Sequence, residues 1–258
     1  MADLAKAGLL LELGHEDTVA TITLNRPERR NAQSPAMWKG LADLGGELPE
    51  SVRVVVLKGA GPSFSAGLDL RAFTAEGIPG EGSALPAGIG AEELVDLIGV
   101  YQEGFRWLRD PRFTSIAAVH GHAIGAAFQL ALACDMRIAA EDARFCMKEP
   151  ALGLVPDLTG TKPLVDIVGL PRALELCLTA RVVPADEAYE LRLVERVVKS
   201  GELDGAVEEL VTALLQVDAG AARATKELLV QAPGNTLDEQ CLAERRAQAG
   251  RLLGARGK

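Results

Sequence analysis

Three turns built from small residues hold the groups in this sequence that could do chemistry. FSAGLDL (residues 64–70) follows the apolar run RVVVL, HGHAIGAA (residues 120–127) leads into a helix opening near Gly125, and EPALGLVPDLTGT (residues 149–161) carries Glu149 and Asp157. Small side chains let main-chain N–H groups approach a ligand closely, and a helix N-terminus adds positive partial charge. Two such N–H groups aimed at one oxygen would form an oxyanion hole, in which each donor is worth roughly 3 kcal/mol of transition-state stabilisation. A dinucleotide fingerprint is excluded at Gly121, because Ala123 stands where its second glycine belongs. His120 and His122 lack further metal-ligand residues nearby, so no metal site is expected and strand-end packing accounts for them. The remaining polar oddity is Gln129, an amide inside an otherwise apolar helical stretch.

These turns must be positioned by a framework of strands and helices. Strands are expected at residues 18–25, 53–57, 114–119 and 136–139, from β-branched and apolar runs. Helices are expected at 34–48, with Pro35 in the first turn, at 92–109, with Leu94, Leu97, Ile98, Tyr101, Phe105 and Leu108 on one face, and at 125–134. Residues 58–67 read as a loop, and the Gly- and Pro-rich segment 74–90 as a mobile lid or a surface excursion, with composition favouring the excursion. After Pro184 the pattern becomes helical. Leu203, Val207, Leu210, Val211 and Leu214 make one stripe, a second helix covers 219–231, and Thr236 with Glu239 forms a capping box opening a last helix that ends near Leu253. A mixed α/β body followed by a helical tail is therefore expected, with exposed apolar faces on the tail suited to contacts between copies.

The bulk properties narrow the function classes. The 258 residues are 48% apolar and 24% charged, with 27 basic against 36 acidic residues and a net charge of −9. Without a basic run, general nucleic-acid or membrane-surface binding is excluded. The four cysteines show no C-x-x-C spacing, which fits reduced thiols in the cytoplasm. Glu12, Glu16 and Asp17 interrupt the apolar start, unlike a signal peptide. Residues 114–134 approach membrane-spanning length, but His120, Gly121, His122 and Gln129 fit a strand, a turn and a buried helix better.

NRPERRNAQS (residues 25–34), FSAGLDL, HGHAIGAAFQLALACDMRIA and FCMKEPALGLVPDLTGT, in this order, resemble the crotonase superfamily of enoyl-CoA hydratases and isomerases. ADEAYELRLVERVV (residues 185–198) adds a late segment, with Arg192 where glycine is usual. The resemblance implies an α/β fold of the ClpP/crotonase type, a spiral of repeated ββα units over residues 1–198. Residues 199–258 would form a helical trimerisation region, giving a homotrimer or a hexamer built as a dimer of trimers. It implies an acyl-CoA thioester substrate, with coenzyme A part of the substrate and no separate cofactor. Ala66 and Ala126 would supply the oxyanion N–H groups, and Ser65, Ala66, Gly67, Leu68, Asp69 and Gly125 would line the CoA-ester path. Arg29, Arg30 and Arg71 are candidate partners for the CoA phosphates.

The family's acid–base groups fall on Gln129 and Glu149. Hydratases use a pair of glutamates, and an amide neither takes nor gives a proton usefully near neutral pH. With Asp157 eight residues beyond Glu149, the resemblance favours double-bond isomerisation. Glu149 would then be the main acid and base, Asp157 a second carboxylate and Gln129 an orienting group. The alternatives are an atypical hydratase, another crotonase reaction (a hydrolase or decarboxylase), or a non-catalytic acyl-CoA binder. Asp157 could instead cap a helix beginning near Leu158, Glu149 could be a salt-bridged loop residue, and Gln129 could be a core amide satisfied by backbone. If buried, that amide needs partners, of which water or Glu149 are expected.

Overall fold

The computed structural model describes residues 4–74 and 76–255. Along the chain lie β1 (Leu9–Gly14), β2 (Val19–Leu24), α1 (Pro35–Glu47), β3 (Val54–Gly59), α2 (Ala91–Arg106), β4 (Thr114–Val119), β5 (His122–Ile124) and α3 (Ala126–Ala133). There follow β6 (Met136–Ala140), β7 (Arg144–Cys146), α4 (Thr161–Val168), α5 (Leu170–Thr179), β8 (Val183–Pro184), α6 (Ala185–Glu190) and β9 (Arg196–Val198). The chain closes with α7 (Leu203–Gln216), α8 (Ala219–Gln231) and α9 (Leu237–Ala255).

The larger sheet has the order β1-β2-β3-β4-β6-β9 and is parallel except for the β1–β2 pair. Its central strands are apolar on both faces, as a parallel sheet covered on each side requires. Val55, Leu57, Ala117 and Val119 point into the main core with α1, α2 and α3, whereas Val54, Val56, Ile116 and Ala118 point the other way. That second face is covered by Leu203, Ala206, Val207 and Val211 of α7, so much of the stripe on this helix is used inside the chain. Leu229, Val230, Leu237, Leu252 and Leu253 of α8 and α9 remain exposed.

A smaller sheet, β5-β7-β8, forms a second layer, and two parallel bridges (Ser65 to Ala123 and Gln33 to Leu68) carry its pairing on through the 64–68 turn. Successive passes of the chain thus place one strand in the large sheet, a shorter one in the second layer, and then a helix. This is the expected spiral of ββα units. It sets the two small-residue turns side by side at the ends of β3 and β4.

Some elements depart from the sequence reading. β1 was hidden by its short, acid-interrupted pattern; it is an edge strand with Leu10 and Leu13 exposed. β5, β7, β8 and β9 have two or three residues each, too few to show a period. The helix expected near Leu158 begins at Thr161. In the 74–90 segment, Ile78 and Ala84 are buried beside Ala72, and Ala84 N–H donates to Ala72 O at 2.7 Å, so the excursion is pinned at its middle. Arg192, where glycine is usual in the resemblance, has φ of 61°, the left-handed conformation glycine adopts without cost.

Candidate active site

The turn after β3 is built around two buried polar side chains. The Asn31 amide donates to Ala60 O at 2.7 Å and to Ser63 O at 2.8 Å, while Asn31 Oδ1 accepts Arg26 N–H at 2.9 Å. Gln33, fully buried, accepts from Trp38 Nε1 at 2.8 Å, and its main chain brackets the turn from Gly67 O to Asp69 N–H. Ser65 Oγ donates to Asn31 O at 2.6 Å and accepts Gly67 N–H at 3.1 Å. These side-chain bonds replace the ladder that an irregular buried segment lacks.

Gly67 has φ of +86°, and a Cβ there would stand 2.2 Å from Ile124 O. Glycine is therefore required twice over, by conformation and by contact, and the contact brings the first turn against the second. Gly125, at φ +54°, precedes α3, and its N–H donates to Cys146 O at 2.7 Å. Ala126 lies within the helix and outside the left-handed region, so alanine costs nothing in the place where the resemblance has glycine.

The oxyanion assignment needs one correction. Ala66 N–H donates to Arg30 O at 2.8 Å and is spent on the fold. By contrast, the N–H groups of Leu68 and of Ala126, in the first turn of α3, make no hydrogen bond among the described residues. The bridge between Gln33 and Leu68 explains this: it uses Gly67 O and Asp69 N–H and leaves Leu68 N–H turned the other way. Sequence identity could not reveal which amide of the turn is free.

Several residues expected along the CoA path are also engaged internally. Ser65 is fully buried with its hydroxyl used as above. Asp69 is 7% exposed and takes both Arg71 Nε at 2.9 Å and Arg71 Nη2 at 2.6 Å, with Arg26 Nη2 at 3.3 Å. Arg71 is thus committed to Asp69, while Arg29 is exposed and in no ion pair among the described residues. The hydrogen bonds from Arg71, with the nearby charge of Arg26, hold the Asp69 carboxyl down at about 2, below its ordinary 3.8. A depressed carboxylate stabilises the fold above its unfolded pKa and loses that contribution as pH falls through the folded value. Accordingly, Asp69→Asn should flatten the acid limb of a Tm-against-pH curve between about pH 4 and 2. An unchanged acid limb would show that the Asp69 cluster contributes nothing to stability.

Parallel pairing of β5 with β7 carries the chain from Cys146 to Glu149 alongside Gly125. A Cβ on Gly125 would lie 3.1 Å from Glu149 Oε1 and 3.5 Å from Oε2, so the carboxyl sits directly against the turn that presents Ala126 N–H. Gln129, fully buried one turn into α3, donates from Nε2 to Glu149 Oε1 at 2.7 Å. Its Oε1 accepts Leu158 N–H at 2.9 Å and Gly160 N–H at 3.2 Å. Thr159, between those donors, has φ of 70°, the local bend that turns both N–H groups to one oxygen. The expected partner Glu149 is therefore present on the amide nitrogen, and the backbone, the other partner considered, satisfies the amide oxygen.

Glu149 is 8% exposed, and Oε2 is buried with no hydrogen-bond partner among the described residues. Burial raises its pKa; the Gln129 hydrogen bond opposes this, and the charge of Asp157 reinforces it. Burial likewise raises the Asp157 carboxyl. Asp157 does not cap a helix: α4 starts at Thr161 from Gly160 without a side-chain cap. A poised carboxyl with one free oxygen, beside main-chain donors, can move a proton at a carbon next to a stabilised oxyanion.

His120 and His122 contact Gly61 O at 2.9 Å and Ser63 Oγ at 3.1 Å, tying the 60–64 loop to β5. Among the described residues no cluster suited to a metal ion occurs, and no helix is long and apolar enough to cross a membrane. A cavity of about 680 Å³ lies at the other ends of the strands, lined by Val54, Thr114, Met136 and α8 over the Lys226–Asp135 ion pair; it contains none of the acid–base groups.

Residues 14–251 match the family model for enoyl-CoA hydratase/isomerase. The probable enoyl-CoA hydratase echA8 of Mycobacterium bovis is 31% identical over 90% of this chain and 85% of its own. The mitochondrial Δ(3,5)-Δ(2,4)-dienoyl-CoA isomerase of Mus musculus is 33% identical over 86% of this chain and 68% of its own. A crystal structure of a candidate enoyl-CoA hydratase from Thermobifida fusca YX, in complex with acetoacetyl-CoA, is 57% identical with a TM-score of 0.94, covering 97% of each chain. With the fold, the paired turns and these likenesses together, the chain belongs to the enoyl-CoA hydratase/isomerase family, whose crotonase fold it has.

Proposed function

We propose that this protein shifts a double bond in an enoyl- or dienoyl-CoA thioester through an enolate. The observation that carries this reading is the commitment of Gln129. Its N–H holds Glu149 Oε1 and its oxygen holds the 158–160 loop, so no second carboxylate stands at that position to activate water. Glu149 Oε2 is the group free to take a proton from C2 of the thioester. The electron pair moves onto the carbonyl oxygen, held by Leu68 and Ala126 N–H, with the α3 N-terminus adding favourable charge. A proton then returns at the far end of the conjugated system, from Glu149 itself in a 3-enoyl substrate or from Asp157 in a 3,5-dienoyl one. Arg29 and Arg30, both exposed, are the arginines left for the CoA phosphates, and the exposed apolar residues of α8 and α9 suit contacts in a trimer.

The test is turnover of 3-enoyl-CoA and 3,5-dienoyl-CoA, followed by absorbance of the conjugated product, against hydration of a 2-enoyl-CoA. Isomerisation should be the faster reaction. Asp157→Asn should lower kcat on the dienoyl substrate by about 10²-fold and spare the 3-enoyl substrate. Faster hydration would favour the atypical hydratase. Binding of CoA esters without any turnover would make the protein a binder and end the isomerase reading.

A further inference from the structure

We infer that Gln102 is a positioning residue which, with Gln129, clamps the Asp157–Leu158 peptide and so fixes the Asp157 carboxyl relative to Glu149. Gln102 Nε2 donates to Asp157 O at 2.6 Å, and Gln129 Oε1 accepts Leu158 N–H at 2.9 Å. That carbonyl and that N–H belong to one peptide unit, which two side-chain amides from α2 and α3 therefore hold at both ends. Rotation of the peptide plane would break one bond or the other, leaving a half-buried polar group without a partner.

The clamp is needed because little else orients this segment. Residues 151–155 are exposed, and burial begins only at Leu158. The Asp157 carboxyl accepts no hydrogen bond from another residue among those described. By contrast, Gln102 is presented from a rigid base. Gly104, two residues on, packs so closely that a Cβ would lie 2.3 Å from Trp38 O, and the Tyr101 ring sits 5.1 Å from that of Trp38. α2 is thus locked on α1, and the amide reaches the acid loop from a fixed point. Nothing in the sequence separates Gln102 from an ordinary solvated helix residue, since its partner lies 55 positions away.

This inference rests on the reading of Asp157 as the second acid, and a double-mutant cycle separates the two. Gln102→Met keeps length and removes the donor. With a 3,5-dienoyl-CoA, it should lower kcat about tenfold with KM within about twofold of wild type, and the loss should vanish in an Asp157→Asn background. An equal loss in both backgrounds, or no loss when Asp157→Asn alone is impaired, overturns the positioning role. If Asp157→Asn retains full activity, or the wild type is inert toward the dienoyl substrate, the second-acid reading fails first and takes this inference with it. Should Gln102→Met not fold, Gln102→Glu, which sets an acceptor against the Asp157 carbonyl at nearly the same size, runs the same cycle with the same outcomes.

Discussion

Glu149→Gln is expected to lower kcat by about 10³-fold or more while leaving the affinity for a CoA thioester within a few-fold of wild type. The carboxyl is the poised group of the site: buried, bonded by Gln129 through one oxygen and free at the other. The glutamine variant keeps the shape and still offers an oxygen to Gln129 Nε2, but it cannot take a proton. In the proposed mechanism substrate binding depends instead on the turns at 64–69 and 125–126, which do not rely on the charge of residue 149. Steady-state kinetics with titration of a CoA ester by calorimetry checks both halves. A variant that retains the wild-type rate would remove Glu149 from the mechanism.

The same variant has a stability consequence with a definite sign. Because burial raises the Glu149 pKa, the folded state keeps a proton that the unfolded state has already lost. Fewer protons on the unfolded state than on the folded one mean that stability falls as pH rises. The fall spans the window from the ordinary carboxylate value up to the raised one. Glu149→Gln removes this dependence, so its Tm should exceed that of wild type increasingly across the window and by a constant margin above it. A lower Tm for the variant at all pH values would mean that the carboxylate is stabilised rather than strained by its surroundings.

The second large effect is expected from Gln129→Glu. One oxygen of the new side chain can keep the Leu158 and Gly160 N–H groups, which suit a carboxylate at least as well as an amide. Its other oxygen then replaces an N–H donor that stands 2.7 Å from Glu149 Oε1. Two carboxylates at that distance do not both ionise; they share one proton and titrate as a pair with apparent values pushed apart. This recreates the paired acids on which hydration depends, one to activate water and one to deliver a proton. Hydration of a 2-enoyl-CoA should rise by about tenfold or more, with a bell-shaped pH profile belonging to the pair. A variant that folds, binds the thioester and shows no gain would sink the account of why Gln129 disfavours hydration.

Much of the site could be read from the chain because its determinants are local. The α1 helix with Pro35 in its first turn, the apolar runs of β3 and β4, and the 219–231 helix follow from composition and periodicity within a dozen residues. The motifs at residues 25–34, 64–70, 120–139 and 145–161 carried the family resemblance, and with it the thioester chemistry. Glu149 and Gln129 could be paired because the resemblance supplied a spacing that no local pattern provides.

What only the tertiary structure decided depends on which backbone atoms remain free after the fold has used the others. Ala66 and Leu68 lie two residues apart in one small-residue turn, and the chain sequence does not distinguish their amides. Arg30 O, brought in from a different turn, occupies the first and leaves the second. Arg71 and Asp69 read as ligand contacts until their bidentate pairing is seen. Asp157 reads equally as a cap or an acid, and the late start of α4 decides against the cap. The sequence by itself determined the elements and the residue types of the chemistry, since these depend on neighbours a few positions away. The tertiary structure determined which oxygen and which N–H of those residues are unspent, since each is set by a partner tens of residues distant.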